Sequence, residues 1–141
     1  MMDPELVTRK LTLILQDLPA LTDLARKSRA EYLGDPIYQV LAERYVERTI
    51  GRMIDVNYHV ITESGHAPPK DYHESFVSLG PLKILPTEFA HSLAAAAGLR
   101  NRIVHEYDEI DAAKLHEALQ IAVKQIPVYV DAIRRVLPSE P

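Results

Sequence analysis

The feature that most constrains the fold is a long segment without proline between Asp35-Pro36 and Gly65. An Asp followed by Pro is a typical helix start, because Asp caps free backbone N–H groups and Pro fits the first helical position. Apolar residues then recur every three or four positions, which predicts an amphipathic helix from Pro36 to about Glu63. Its wide apolar face is typical of the central helix of a bundle. Gly51, in the middle, predicts close approach of another backbone or a ligand.

Four further segments show the same apolar spacing or the same start signals. We predict helices over Asp3-Pro4 to about Arg26, over Asp71 to Leu79, from Thr87-Glu88 onward, and from an Asp111 cap onward. Pro19 and Pro127 lie inside the first and the last of these and are expected to kink, bend or break them. No run of alternating β-branched residues predicts a sheet. The expected fold is therefore all-α, an antiparallel four-helix bundle with one additional short helix.

Length, charge and composition narrow the class of protein. The 141 residues are expected to form a single domain, residues 1–141. The absence of Cys excludes disulfides, thiol catalysis and thiolate zinc sites. A net charge of −4 excludes binding of nucleic acid by bulk charge, but it allows a local basic site. Since no apolar run is long enough for a membrane span and the N-terminus lacks signal-peptide features, we expect a soluble cytoplasmic protein without a membrane partner.

The densest group of reactive side chains is Arg100, Asn101, His105 and Tyr107, all within eight residues. An Arg guanidinium can hold a phosphate through a planar fork of donors. A His imidazole can exchange protons near neutral pH, and an Asn amide can position an oxygen atom. This combination suits cleavage of a phosphodiester by general acid–base catalysis. The plainer interpretation is a surface Arg and a His that favours a helix C-terminus.

The spacing of Arg100 and His105 raises a geometric question. At 100° per residue, two positions five apart differ by about 140° around a helix. The two side chains converge only if the Arg reaches round the helix, if the helix ends between them, or if two chains contribute to one site.

A second basic feature is a ridge of Arg44, Arg48 and Arg52, which are four residues apart on the long helix. Arg44 and Arg52 are candidates for binding the phosphates of RNA or an acidic partner. In the alternative interpretation the ridge is a solvated face, with ion pairs between Arg44 and Glu47 and between Arg52 and Asp55.

Other chemistries find little support in the sequence. His59, His66 and His73 lack the three- or four-residue spacing of a helical metal site, so no metal ligand is predicted. No Gly-rich phosphate loop is present, and no cofactor is expected.

The stretch Gly98–Tyr107 resembles the signature of HEPN-domain proteins, Arg-x4-His. It has the fuller form Arg-Asn-x3-His-x-Tyr, which is that of the HepT-like toxins. Further residues agree with this resemblance, which runs from about Leu6 to Val136: Glu43-Arg44, Pro68-Pro69 followed by Tyr72 and Phe76, and Asp111. Glu106 stands where the family often has Asp, a mild departure.

The resemblance implies a HEPN-like bundle and a metal-independent ribonuclease toxin of a type VII toxin–antitoxin pair. It implies that Arg100 holds the scissile phosphate, that Asn101 helps to orient it, and that His105 acts as general base or acid. It also implies a homodimer, an RNA substrate such as tRNA, and an MntA-like minimal nucleotidyltransferase as antitoxin. That partner would silence the toxin by transferring AMP to Tyr107.

A different class of function stays open at this stage. Some HEPN domains serve as binding modules without catalysis, which dock a nucleotidyltransferase and present a ligand or nucleic acid to it. The presence of Arg, Asn, His and Tyr together favours the enzyme.

Overall fold

The computed structural model describes residues 2–138, and across these residues the chain forms six α-helices and one short 3₁₀ helix. The helices are α1 (Pro4–Arg26), α2 (Arg29–Gly34), α3 (Pro36–Glu63), α4 (Tyr72–Val77), α5 (Thr87–His105) and α6 (Ala112–Val136), with the 3₁₀ helix at Tyr107–Glu109. The all-α prediction is confirmed. None of the helices in residues 2–138 is long and apolar enough to cross a membrane.

Aspartate side chains start three of the long helices where the sequence predicts them. Asp3, Asp35 and Asp111 each accept hydrogen bonds from backbone N–H groups in the first turn of α1, α3 and α6. Pro4 and Pro36 occupy the first helical positions of α1 and α3. The first N–H groups of a helix have no partner inside it, and a cap of this kind stabilises the helix by about 1 kcal/mol. These starts are therefore determined by local sequence.

Three local predictions can be compared with the structure. Helices α1 and α6 continue through Pro19 and Pro127, so neither proline breaks its helix. Helix α2 is additional: Ser28 caps it, and it buries Tyr32. Six residues are too few for a periodic pattern, so apolar periodicity does not predict this helix. No other backbone lies close to Gly51, because a Cβ placed there would have no heavy atom within 4 Å beyond the helix's own backbone, so only the ligand alternative stays a prediction.

Helix α3 lies at the centre of the bundle, as its broad apolar face predicts. It packs against every other α-helix of the described residues. Tyr129 of α6 is fully buried against α3 and donates its hydroxyl proton to Asn57 Oδ1, with the Met53 carbonyl oxygen 3.1 Å from the same hydroxyl. This buried polar group is therefore satisfied.

Helices α5 and α6 flank a groove of about 650 Å³ whose floor is α3. Apolar side chains such as Ile50, Leu99 and Ile121 line most of it. At one point the helices are joined by Gln125, whose Nε2 donates to the Ser92 hydroxyl at 3.1 Å. Helix α5 packs chiefly on α3 and α4, and these two helices determine the position of its C-terminal end.

Candidate active site

The predicted cluster lies where α5 ends and the chain turns into α6. Arg100, Asn101 and His105 belong to α5, and His105 is its last residue. Glu106 departs from helical geometry, although its N–H still bonds at 2.7 Å to the carbonyl four residues before it. Tyr107 then begins the 3₁₀ helix. The motif therefore spans a helix end and the turn that follows.

Arg100 is half-buried against α4. Its Cζ lies 5.3 Å from the centroid of the Tyr72 ring, within the range of a cation–π contact. Its Nη1 donates to Asn101 Oδ1 at 3.4 Å, whereas its Nε is buried and has no acceptor. Within residues 2–138 no Asp or Glu side chain pairs with this guanidinium. The charge is thus held on an aromatic ring with donors left for an anion, and its planar fork matches a phosphate.

His105 and Tyr107 are open to solvent. Tyr107 is 65% exposed, and His105 is exposed as well. Neither side chain has a hydrogen-bond partner in the part of the chain that the structure describes. Both groups are therefore accessible to a large substrate or to a modifying enzyme.

The structure excludes one of the three ways in which Arg100 and His105 could converge. Helix α5 continues from Thr87 to His105, so it does not end between the two residues. On a regular helix they differ in direction by about 140°. Arg100 lies on the side that faces Tyr72, while His105 continues the side that carries Asn101, one turn further on. No hydrogen bond among the described residues joins Arg100 to His105.

The arginine ridge of α3 is divided between two environments. Arg44 is exposed, and its Nη1 lies 3.7 Å from Oε2 of Glu47, which is the ion pair predicted for a solvated face. Arg48 and Arg52 instead turn inward to Asp17 of α1: Arg48 binds both of its carboxylate oxygens at 2.6 Å, and Arg52 donates at 2.8 Å.

The predicted pair between Arg52 and Asp55 is therefore wrong. Asp55 pairs with Lys10 of α1 at 3.0 Å, and Arg52 also donates to the Leu13 carbonyl at 3.3 Å. The Arg52 guanidinium is bonded to Asp17 and to the Leu13 carbonyl inside the bundle, so we no longer propose that it binds RNA. Arg44 stays a candidate for that role.

Asp17 is a structural residue that the sequence analysis missed. It is buried, and the hydrogen bond from Arg48 holds the pKa of its carboxyl below the usual value, against the opposing effect of burial. A signal was present in the sequence. Asp17 lies three residues after Ile14 and four before Leu21, on the buried face of α1. A carboxylate on such a face indicates a cationic partner across the helix interface.

The described residues also bear on metal binding. Among residues 2–138 no three His, Asp or Glu side chains are grouped so that they could hold a metal ion.

Comparison with known proteins relates this geometry to a family. A family model described as ribonuclease HepT-like matches residues 14–133. The chain is also 33% identical over 135 residues to the tRNA nuclease HepT of Aphanizomenon flos-aquae (strain 2012/KM1/D3). That match covers 96% of this chain and 92% of the relative.

Solved structures show the same fold at lower identity. The tri-AMPylated Shewanella oneidensis HEPN toxin, in complex with its MNT antitoxin, superposes with a TM-score of 0.84 at 19% identity. The match covers 96% of this chain and 99% of that one. YutE from Bacillus subtilis, a cytosolic protein of unknown function, superposes with a TM-score of 0.83 at 15% identity, over 99% of this chain and 96% of that one.

The fold and the end of α5 thus define an all-α HEPN-type protein. The chain belongs to the HepT-like ribonuclease family, and the resemblance drawn from the Arg-x4-His-x-Tyr motif is confirmed. The matched range includes Arg100, Asn101, His105 and Tyr107.

Proposed function

We propose that this chain is a metal-independent endoribonuclease that acts in the cytosol as the toxin of a toxin–antitoxin pair. The observation that carries the proposal is the environment of Arg100, a half-buried guanidinium that lies on the Tyr72 ring with no carboxylate paired to it among the described residues. Membership of the HepT-like ribonucleases supports the reaction class. Because one relative is a tRNA nuclease, tRNA is the first substrate to test.

In the proposed reaction Arg100 neutralises the scissile phosphate and Asn101 helps to orient its oxygens. His105 acts as general base on the ribose 2′-hydroxyl or as general acid on the leaving oxygen. The 2′-oxygen forms a bond to phosphorus, and the bond from phosphorus to the 5′-oxygen of the next nucleotide breaks. The proton of the 2′-hydroxyl passes to the base, and the leaving 5′-oxygen receives one from the acid. The products are a 2′,3′-cyclic phosphate and a 5′-hydroxyl.

The proposal includes a homodimer. One chain presents Arg100 and His105 in different directions around α5, since they lie about 140° apart on a regular helix. Two copies whose motifs face each other across a cleft would place Arg100 of one copy opposite His105 of the other. Arg44, exposed on α3, is proposed to add a phosphate contact along the RNA.

Tyr107 is proposed as the site at which an MntA-like nucleotidyltransferase silences the toxin. Its hydroxyl oxygen would form a bond to the α-phosphorus of ATP, pyrophosphate would leave, and the phenol proton would pass to solvent. The exposure of Tyr107 supports this, as does the AMPylated Shewanella relative with its MNT antitoxin. The added AMP places a negative phosphate two residues from His105, where it repels the RNA backbone.

The test is cleavage of total cellular RNA and of purified tRNA in EDTA by the unmodified chain and by Arg100→Ala and His105→Ala. We expect the unmodified chain to cut and both variants to be inactive, with equal helix content by circular dichroism. Should nothing cut, intact mass reveals whether AMP groups silence the protein. An inactive chain without AMP contradicts the ribonuclease and points to the non-catalytic binding module.

A further inference from the structure

A second cavity lies next to the residues that contact Arg100, and it shares Ala95 and Arg102 with the lining of the α5–α6 groove. It has a volume of about 430 Å³ and opens between the start of α4 and the middle of α5. Tyr72 and Asn101 both line it, and these are the two residues that contact Arg100. The cavity therefore adjoins the position of the phosphate that Arg100 is proposed to bind. Its volume is within the range of known ligand pockets.

The wall that α5 contributes combines small residues with a guanidinium. Ala94, Ala97 and Gly98 add little or no side chain to it, and Arg102 also lines it. A Cβ added at Gly98 would meet only Nη1 of Arg102, at 3.8 Å, so no other element packs against this glycine. Bases stack on Arg guanidinium planes, so such a wall suits a planar ring.

The opposite wall is Tyr72, and its position is fixed by neighbours. Its ring meets the Tyr58 ring edge-on, with 6.2 Å between centroids. Helix α4 is anchored below it by Ser75 and Phe76, which are fully buried, and the Ser75 hydroxyl accepts from Asn57 Nδ2 at 3.3 Å. The cavity is thus bordered by two supported elements.

Polar side chains at the opening of the cavity can form hydrogen bonds with the edge of a bound ring. The Asn101 amide offers both a donor and an acceptor, and the exposed His73 imidazole adds another polar edge. Asp71 caps α4 through Oδ1, which leaves its second carboxylate oxygen available as an acceptor. A cavity with such an opening matches the shape and the edge chemistry of a nucleobase.

We propose that this cavity is the subsite for the nucleobase next to the scissile phosphate, with Asn101 and His73 recognising its edge. The inference rests on the proposed ribonuclease function, because it places the base beside a phosphate bound by Arg100. The proposed subsite would give Asp71, Tyr72 and His73 a role in binding the base, in addition to the contact of Tyr72 with Arg100.

The test compares binding of the four nucleoside monophosphates with binding of ribose 5-phosphate, which has no base. Binding is followed by NMR shifts of the Asn101 side-chain amide and the His73 imidazole in the full chain. We expect the best nucleotide to bind about tenfold more tightly than ribose 5-phosphate, near the low end of what base stacking contributes in single-strand binding.

The discriminating variant is Gly98→Met, which fills the cavity with a good helix former. Its matched control is Gly51→Met on α3, at a helix-interior glycine that also has open space beside it. We expect Gly98→Met to lose the preference for nucleotides over ribose 5-phosphate and Gly51→Met to keep it. Circular dichroism checks that both variants fold, and Gly98→Ala provides a smaller change at the same site.

Equal binding of nucleotides and ribose 5-phosphate, no binding of either, or a preference that survives Gly98→Met would each overturn the subsite. Because binding is measured without turnover, the two proposals fail separately. A chain without AMP that shows the nucleotide preference but does not cut RNA contradicts the ribonuclease and leaves the cavity as a nucleotide-binding site. A chain that cuts RNA without that preference contradicts the subsite alone.

Discussion

Arg48 and Arg100 show how one residue type serves two purposes in this molecule. Arg48 is paired through two short hydrogen bonds with a buried carboxylate, so its charge is neutralised in the fold. Arg100 has a ring for support and no carboxylate, so its charge is available to a ligand. The difference lies in the neighbour across the helix interface, Asp17 in one case and Tyr72 in the other.

The contact between Arg100 and Tyr72 can be tested with a pair of substitutions. Tyr72→Leu removes the aromatic face, and we expect kcat/KM for RNA cleavage to fall about 5- to 30-fold, as a cation–π contact of ~1–2 kcal/mol predicts. Tyr72→Phe keeps the face and should retain most of the activity. Equal activity of Tyr72→Leu and the unmodified chain would show that the ring does not position Arg100.

Tyr107 gives a second prediction at the level of a single residue. Its exposed phenol is the proposed acceptor of AMP, so Tyr107→Phe should take up no AMP when incubated with ATP and the cognate nucleotidyltransferase. The variant should still cut RNA, since the ring remains and only the hydroxyl is lost. Intact mass spectrometry measures the uptake, and AMP transfer to Tyr107→Phe at the stoichiometry of the unmodified chain would refute the assignment.

At the scale of elements, α1 and α3 are joined by the cluster of Asp17, Arg48 and Arg52. Removing one partner of a buried ion pair leaves the other charge without compensation. This cluster joins the two helices, and α3 in turn packs against α5.

We expect Asp17→Asn to lower the free energy of unfolding by about 1–3 kcal/mol at pH 7, between the values for exposed and buried pairs, because the Arg48 side chain is 37% exposed. Because the folded-state pKa of Asp17 is lowered, its stabilising effect is present above the ordinary value near 3.8. It is lost as the pH falls through the lower folded-state pKa.

Urea unfolding followed by circular dichroism at pH 7 and in the acid range measures both effects. Asp55→Asn is the matched control, since it breaks the more exposed pair with Lys10 and should cost much less. Equal losses in the two variants would show that the Asp17 cluster is no more important than a surface ion pair.

The elements also show what the sequence can and cannot predict. The starts of α1, α3 and α6 are predictable because an Asp cap acts within one turn. Helix α2 is too short to have a periodic pattern. The partner of Arg52 could not be assigned because it lies on another helix, and the same holds for the contact of Arg100 with Tyr72. The site residues could be nominated from a local motif, whereas their surroundings depend on tertiary packing.

At the scale of the whole molecule, an acidic chain of net charge −4 is proposed to act on RNA. Its binding must then depend on local cations rather than on overall charge, and Arg100 and Arg102 both lie in the last two turns of α5. The bundle presents this end next to an exposed turn, where a second copy, an RNA and an antitoxin could all approach.

The proposed dimer makes a quantitative prediction. If Arg100 of one copy acts with His105 of the other, an equal mixture of the inactive Arg100→Ala and His105→Ala chains regains about a quarter of full activity, because half of the dimers are mixed and each has one intact site. Light scattering should show a dimer before and after mixing. A dimer whose mixture stays inactive would show that each chain uses its own two residues.

The most direct test of the central claim is a substrate with one 2′-hydroxyl removed. Once a cut in an RNA is mapped, the same RNA is prepared with 2′-deoxyribose on the 5′ side of that phosphate. We expect that the deoxy substrate is not cut there, and that the unmodified RNA yields a 2′,3′-cyclic phosphate in EDTA. Cleavage that persists at the deoxy position would contradict a reaction in which His105 works through the 2′-hydroxyl.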